Sequence, residues 1–264
     1  MHIDLSGRTA LVTASSGGIG LAIADGLARA GAQVVVNGRT PDSLERAVAR
    51  IQEHGGPGSA RGVVADAATS DGAQELAESA GEVDILVNNL GIFESMDALE
   101  IDDEQWRRYF EVNVLSAIRL TRMLLPAMMD RGWGRVLSIA SDSSLAIPAE
   151  MIHYGTSKTA LLGASRGFAK TAAGSGVTVN AVMAGPTHTE GVEEFARSLV
   201  GDELPWDEAQ RRFMREYRPQ SLIQRLIEPE EIANMVVYLA SPLASATTGG
   251  TVRVDGGYVD AIIP

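Results

Sequence analysis

Tyr154 and Lys158, a phenol and an ammonium four positions apart in Tyr154-Gly155-Thr156-Ser157-Lys158, carry the strongest chemical signal in this chain. On a helix, positions i and i+4 share a face. An isolated tyrosine titrates at about pH 10. A cation beside it favours the phenolate and draws the group toward acid–base work at neutral pH. Such a pair is common, so its meaning depends on its company.

A second signal lies near the start, in Thr13-Ala14-Ser15-Ser16-Gly17-Gly18-Ile19-Gly20. A turn of small residues that opens a helix lets backbone N–H groups and the positive helix end meet a pyrophosphate. Thr13, Ser15, Ser16, Gly18, Ile19 and Gly20 are therefore candidate cofactor contacts. The next strand ends in Val36-Asn37-Gly38-Arg39-Thr40. A site that prefers NAD usually carries a carboxylate here for the ribose 2′-OH. That position falls on Gly38, and Arg39 follows it. A guanidinium suits a 2′-phosphate through paired, charge-assisted hydrogen bonds. Asn37, Arg39 and Thr40 join the candidate contacts, and NADP(H) is expected over NAD(H). NAD(H) is the alternative if Arg39 is only a solvated turn residue.

The elements that must position these groups follow a regular rhythm. Strands are expected at 9–13, 33–37, 61–65, 84–88, 135–139, 177–183 and 251–254. Helices are expected at 18–30, 42–54, 70–80, 103–131, 154–173 and 230–240. Short apolar strands alternating with helices imply a parallel sheet covered on both faces. Right-handed crossovers then give a doubly wound, Rossmann-type α/β fold with about seven strands. No linker or repeat divides the chain, so residues 1–264 are expected to form one domain. Residues 187–226 break the rhythm, being polar and charged with Trp206, Phe213, Met214 and Tyr217 interleaved. A long excursion at the carboxyl end of a parallel strand reads as a substrate lid. The alternative is a helical surface excursion that packs on itself.

Composition removes several function classes. The net charge of −12 argues against a nucleic-acid partner. With no cysteine there is no thiolate catalysis, disulfide or Cys-ligated zinc, and four scattered histidines give no metal-ligand spacing. Residues 1–8 lack the apolar stretch of a secretion signal, and no run of about 18 apolar residues suggests a membrane span. The expected compartment is the cytoplasm and the expected partner a small molecule.

Further motifs bring a resemblance. Asn88-Asn89-Leu90-Gly91 follows the fourth strand, Asn113 sits in Glu111-Val112-Asn113-Val114, Ser141 precedes Tyr154 by thirteen residues, and Asp255-Gly256-Gly257 closes the series. Together with the Gly-rich turn and the Tyr–Lys pair, in this order, they make the sequence resemble the short-chain dehydrogenase/reductase family over essentially its whole length. Members resembling 3-oxoacyl reductases are the nearest in pattern.

The resemblance implies roles. Tyr154 would give a proton to a substrate carbonyl oxygen, or take one from an alcohol. Lys158 would lower the tyrosine pKa and bind the nicotinamide ribose. Ser141 would hold the substrate oxygen, although Ser138, Ser143 and Ser144 stand nearby. Asn113 would support a water relay, or else tie backbone within its helix. Asp66 and Ala67 would meet the adenine, unless Asp66 caps a turn. Asn89, Gly91, Gly185, Pro186, Thr187 and Thr189 would complete the cofactor site. A homotetramer would form through the helical regions 103–131 and 154–173 and the apolar tail 258–264.

Three departures accompany the resemblance. Ala14 stands in place of the family's first Gly, which adds strain if that position needs φ > 0. Leu90 stands in place of Ala, near the adenosine or the central sheet. Pro186 is shifted relative to the family's Pro-Gly.

The expected reaction is interconversion of a ketone or aldehyde with an alcohol. Residues 146–153 would form the pocket wall, with Glu150 and His153 at its edge. A 3-oxoacyl-thioester reductase is the variant within the class. Its acidic carrier would need basic residues such as Arg107, Arg108, Arg131 and Arg135, or Arg211, Arg212 and Arg215. An inactive NADP(H)-binding regulatory or scaffold protein is the alternative of another class. Such a protein is expected to lack Ser141, Tyr154 or Lys158.

Overall fold

A computed structural model describes residues 2–262. Seven strands among these residues form one sheet: β1 (Thr9–Val12), β2 (Gln33–Gly38), β3 (Ser59–Val64), β4 (Ile85–Asn88), β5 (Gly134–Ser141), β6 (Val177–Ala184) and β7 (Thr251–Val254). Their spatial order is β3-β2-β1-β4-β5-β6-β7, and every pairing is parallel. The direction of winding reverses between β1 and β4. At such a switch point the loops beyond the strand ends diverge and leave a crevice for ligands.

Both faces of the sheet are covered, which explains why β4, β5 and β6 are buried throughout. On one face α1 (Gly18–Arg29) packs with α2 (Pro41–His54) and α9 (Pro229–Ala240) over Val12, Val34, Val36 and Ile85. On the other, α3 (Ser70–Ala80), α5 (Ser116–Asp130) and α6 (Ile152–Thr171) flank a core that includes Leu11, Leu86 and Val136. Leu90 packs against this second core. Half-buried there, it meets the core beside the central sheet, one of the two surroundings expected for it.

The expected helix at 103–131 is interrupted. Helix α4 (Asp103–Phe110) runs into a π-turn at Glu111–Leu115 before α5 begins. Single π-turns favour functional positions, and Asn113 sits inside this one. Within Asp103–Asp130 an 18-residue window has the length and apolar character of a membrane-crossing helix, with a mean hydropathy of 1.2. Half of that window is buried inside the molecule, as in a core helix of an ordinary α/β protein.

Residues 187–226 contain α7 (Glu190–Val200) and α8 (Trp206–Tyr217). These enclose a small core of their own from Ala196, Val200, Ala209, Phe213, Met214 and Leu226. The segment packs on itself, as the surface-excursion alternative expected, and it also contributes residues to the wall of the site described next. Its two ends are tied at one place. Thr187 pairs with Ile227, His188 N donates to Ile227 O (2.8 Å), and Ile227 N donates to Pro186 O (2.9 Å).

Candidate active site

The carboxyl ends of β1, β4, β5 and β6 open onto a cavity of about 360 Å³. Tyr154, Lys158 and Ser141 all line it, as do Gly18, Ile19, Gly20, Asn89 and Gly91. Gly185, Pro186, Thr187 and Thr189 complete its far side. These residues singled out by their chemistry and by the resemblance share one space, whereas Thr13, Ser15, Ser16, Asn37, Arg39, Thr40, Asp66, Ala67 and Asn113 lie outside its lining.

Strand β5 extends to Ser141, two residues beyond its expected end. Ser141 then starts a 3-10 turn over Asp142–Ser144, and a second short turn at Ala149–Met151 leads into α6. Gly155 lets the helix return closely, since a Cβ there would lie 2.8 Å from Ser143 O and 2.7 Å from Ile147. Thr159 Oγ1 donates to Ser144 O (2.7 Å) and pins the same junction. Tyr154 and Ser141 face one another because this strand, turn and helix are held together.

Lys158 is buried, and its Nζ donates to Ile139 O (2.9 Å). It stands 5.9 Å from the centroid of the Tyr154 ring. Burial lowers the Lys158 pKa to about 8. Burial also pushes the Tyr154 phenol well above its ordinary value, while the Ser141 hydroxyl pulls it down and Asp142 and Tyr109 push it up. Desolvation dominates this shift, and Tyr154 is a protonated acid at neutral pH. Phe93 packs edge-on against the Tyr154 ring with centroids 6.2 Å apart.

Asn113 ties three elements together. Its Oδ1 accepts from Ile92 N (2.8 Å), and its Nδ2 donates to Ile92 O (3.0 Å) and to Ser157 Oγ (2.9 Å). Ser157 Oγ in turn donates to Tyr154 O (2.7 Å). Asn113 thus clamps the β4 loop to the helix that carries Tyr154 and Lys158. Its bonds reach beyond its own helix, unlike the local tie considered from sequence, and it lies behind the cavity wall.

The Gly-rich turn is shaped for close approach. A Cβ on Gly20 would lie 2.5 Å from both Ala14 O and Asn89 Nδ2, and one on Gly91 would lie 3.0 Å from Lys158 Nζ. The first turn of α1 presents N–H groups that have no helical acceptors. Residues free of side-chain bulk at a helix N-terminus fit a dinucleotide pyrophosphate. Ser15 and Asn37 lie beneath this turn and build it. Ser15 Oγ donates to Val12 O (2.7 Å) and accepts from Asn37 N (2.9 Å). Asn37 Oδ1 accepts from Ala14 N (3.2 Å), and its Nδ2 donates to Ala65 O (3.0 Å). Both are fully buried, so their side chains hold the loop and are turned away from the cavity. Thr13 is likewise buried, and its Oγ1 accepts from Asn89 N (2.9 Å) and Leu90 N (3.0 Å).

Ala14 adopts φ +49°. An L-residue in the left-handed region costs about 1–2 kcal/mol. The surrounding bonds impose that geometry, because Ala14 O also accepts from Asn89 Nδ2 (3.1 Å). Ala14→Gly is expected to raise Tm by about 1–3 °C, the released strain being partly offset by the flexibility of glycine. Thermal unfolding without added cofactor checks this, and an unchanged or lower Tm would show that the turn does not strain Ala14.

At the end of β2, a Cβ on Gly38 would lie 3.3 Å from Ser16 and Leu44, so a larger side chain is crowded there. Arg39 is exposed, and no carboxylate lies within 4.0 Å of it among the described residues. Ser16 is half-buried and Thr40 exposed beside it. Asp66 is exposed and accepts from Ala68 N (3.1 Å), the turn-capping alternative, while Ala67 is buried. Thr187 Oγ1 donates to Gly185 O (2.8 Å).

Other expectations are corrected. Of residues 146–153, Met151 reaches the cavity, whereas Ile147 and Glu150 are exposed. His153 is completely buried against Tyr109, at 3.9 Å between ring centroids, and lies away from the pocket edge. Arg135 is also buried, donating to Gly134 O (2.8 Å) beside the Trp133 ring, and is unavailable for docking. Several wall residues went unnoticed in the sequence, including Asp142, Phe93, Val192, Phe195 and Arg218. Asp142 carried a usable signal, as a carboxylate set within a run of serines next to Ser141.

Fold and cavity together are those of a nicotinamide-dependent oxidoreductase, and comparison with known proteins agrees. The family model described as enoyl-(acyl carrier protein) reductase matches residues 13–259. The chain belongs to the short-chain dehydrogenase/reductase family. It is 47% identical over 263 residues to the uncharacterized oxidoreductase YvaG of Bacillus subtilis, covering 99% of this chain and 100% of that protein. It is 33% identical to the D-beta-hydroxybutyrate dehydrogenase of Cupriavidus necator, over 97% of this chain and 99% of that protein. Its structure is similar to that of the L-sorbose reductase of Gluconobacter frateurii solved with NADPH and L-sorbose. The TM-score is 0.92 and the identity 33%, with 99% of this chain and 100% of that one covered.

Proposed function

We propose that this chain reduces a ketone or aldehyde to the corresponding alcohol at the expense of NADPH, and runs the reverse reaction, with Tyr154 as general acid/base. The observation that carries this reading is a half-buried, protonated Tyr154 sharing a cavity with Ser141 and with Gly18 and Gly20 of the Gly-rich turn. The bound cofactor supplies the hydride. Ser141 positions the carbonyl oxygen, and Tyr154 delivers a proton to that oxygen as negative charge develops there. Lys158 places a positive charge beside the phenol and favours the phenolate left after transfer. Asn113 keeps both groups in register by clamping α6. Thr189, Val192, Phe195 and Arg218 from residues 187–226 cover the cavity and act as the lid in this reading.

The unpaired Arg39 and the crowded Gly38 support NADP(H), as do neighbours solved with NADPH or NADP. A panel of ketones and alcohols, including an acetoacetyl thioester, followed by NADPH absorbance tests the reaction. The expected KM is about tenfold or more lower for NADPH than for NADH, matching charge-assisted bonds to a phosphate. A lower KM for NADH refutes the role given to Arg39.

Relatives that include the 3-oxoacyl-[acyl-carrier-protein] reductase of Escherichia coli, at 34% identity, favour the thioester variant. Of its expected docking cations, Arg107 bonds Asp103 (3.0 Å), Arg131 approaches Glu82 (3.5 Å), Arg212 bonds Glu216 (3.0 Å) and Arg135 is buried, while Arg108, Arg211 and Arg215 are exposed and make no ion pair among the described residues. The strongly acidic chain as a whole disfavours an acidic carrier and makes a free ketone the preferred substrate class. A homotetramer completes the proposal, with Leu115 on the exposed side of the helical region 103–130. The tail expected to contribute is described only as far as Ile262, so Ile263 and Pro264 lie outside the described residues.

A further inference from the structure

Arg218 is the cation on the cavity wall that the proposed mechanism does not use. The basic residues lining the cavity are Lys158 and Arg218. Lys158 is committed, being buried with its Nζ bonded to Ile139 O. Arg218 follows α8 directly and is half-buried. Its Nη1 donates to Tyr217 O (2.7 Å), which anchors the guanidinium at the end of that helix. The Phe213 and Tyr258 rings lie 5.3 Å and 5.8 Å from its central carbon, within the range of cation–π attraction. A planar fork held by one bond and two rings is fixed before any ligand arrives.

That anchoring leaves most of the group without a partner. A guanidinium carries five N–H donors, and Tyr217 O is the one protein acceptor of this side chain among the described residues. No carboxylate lies within 4.0 Å of it among those residues either. Asp142 is the acidic residue on the same wall. Burial raises its carboxyl above the ordinary range, against the pull of Ser141, Arg218 and Ser143, and so works against a compensating anion there. An unpaired arginine on an open surface is ordinary, because water solvates it. Arg218 instead shares its cavity with Phe93, Val192, Phe195 and Phe213, whose apolar surfaces displace water once a ligand fills the space. A cation that loses its water needs a counter-charge.

We infer that the substrate carries a carboxylate in addition to its carbonyl, and that Arg218 is the residue that recognises it. The inference rests on the carbonyl-reductase reading of the same cavity. A guanidinium donates and cannot accept, and two of its parallel N–H groups match the two oxygens of a carboxylate. A cavity of about 360 Å³ that also admits the nicotinamide end of the cofactor leaves room for a short carbon chain. The class selected is a short oxo acid, whose carboxylate passes through the reaction unchanged while its carbonyl becomes the alcohol. The net charge of −12 repels anions at long range, but physiological salt screens exposed charges beyond about 8 Å. The cation inside the cavity therefore decides what is held there.

Matched substrates test this at neutral pH with NADPH. The kcat/KM of the wild-type enzyme is measured for pyruvate, acetoacetate and 4-oxopentanoate, each beside its own amide, which keeps the shape and loses the charge. At least one acid is expected to be favoured over its amide by about 10- to 100-fold, the range for hydrogen bonds between charged groups. Arg218→Met is expected to bring that ratio toward one. Arg218→Lys keeps the charge without the fork and is expected to give an intermediate ratio. Each ratio is taken within one enzyme, so a general loss of packing around the cavity cancels, as does any difference in intrinsic reactivity between acid and amide when variant and wild type are compared. Wild-type ratios at or below one for all three pairs, which need no variant to fold, overturn the inference. The reductase reading then stands on the neutral ketones of the wider panel. A preference for the acid that survives in a folded Arg218→Met enzyme also overturns the inference, and a raised KM for NADPH in that enzyme would assign Arg218 to the cofactor instead. Failure to reduce any ketone or oxo acid overturns the reductase reading and this inference with it.

Discussion

Tyr154→Phe is expected to lower kcat for ketone reduction by about 10²–10⁴-fold while NADPH still binds. The substitution removes one oxygen and leaves the ring that packs against Phe93. The fold should tolerate it, because a single buried hydroxyl contributes about 1 kcal/mol. The turn at Gly18–Gly20 and the exposed Arg39 are untouched, so cofactor affinity has no reason to fall. Steady-state rates with a ketone identified from the panel, beside fluorescence titration of NADPH, separate the two effects. Activity retained within a few fold would sink the assignment of Tyr154 as the acid. Attention would then move to Asp142, the buried carboxyl on the cavity wall.

Lys158→Met is expected to abolish activity and to stabilise the protein at neutral pH. Burial holds Lys158 at about 8, against an ordinary 10.5 in the unfolded chain. Between those pH values the unfolded chain keeps a proton that the folded chain has released. Stability of the wild type therefore rises with pH across that window, and below pH 8 the buried charge weakens the fold by about 3 kcal/mol. Methionine keeps the length of the side chain and removes the charge, although it leaves Ile139 O without its donor. That loss offsets about 1–2 kcal/mol. The net gain at pH 7 corresponds to a rise in Tm of about 2–6 °C. Thermal melts at pH 7 and pH 10 check the sign, because the difference between variant and wild type should shrink as pH rises. A variant less stable at pH 7 and showing the same pH slope would overturn the account.

How much of this was legible in the sequence varies by residue. The alternation of apolar strands and helices defined the sheet, because strands covered on both faces must be apolar throughout. Tyr154, Lys158 and the glycines of the turn were legible because their spacing is local, set by one helix or one loop. Ser15 and Asn37 were expected as cofactor contacts, but their side chains turn inward through a bond from Asn37 N to Ser15 Oγ that no linear spacing reveals. Arg135 looked like a surface cation until β5 placed it in the core. The cavity wall was the least legible part. Arg218 and Phe93 lie far from Ser141 in sequence and meet it only through the crossing of separate loops. Asn113 was placed in a helix, but the π-turn that aims its amide at Ile92 and Ser157 has no sequence signature of its own.

The pairing of Thr187 with Ile227 gives the region between them an unusual independence. The chain leaves the sheet and rejoins it at nearly the same point, and α7 and α8 bury their apolar residues largely against each other. On the proposed reading the hydride-transfer groups Ser141, Tyr154 and Lys158 belong to β5 and α6, outside this excursion. Residues 188–226 then form a cassette on that scaffold, and exchanges within it are expected to alter what the proposed reductase accepts while the acid and the sheet stay in place.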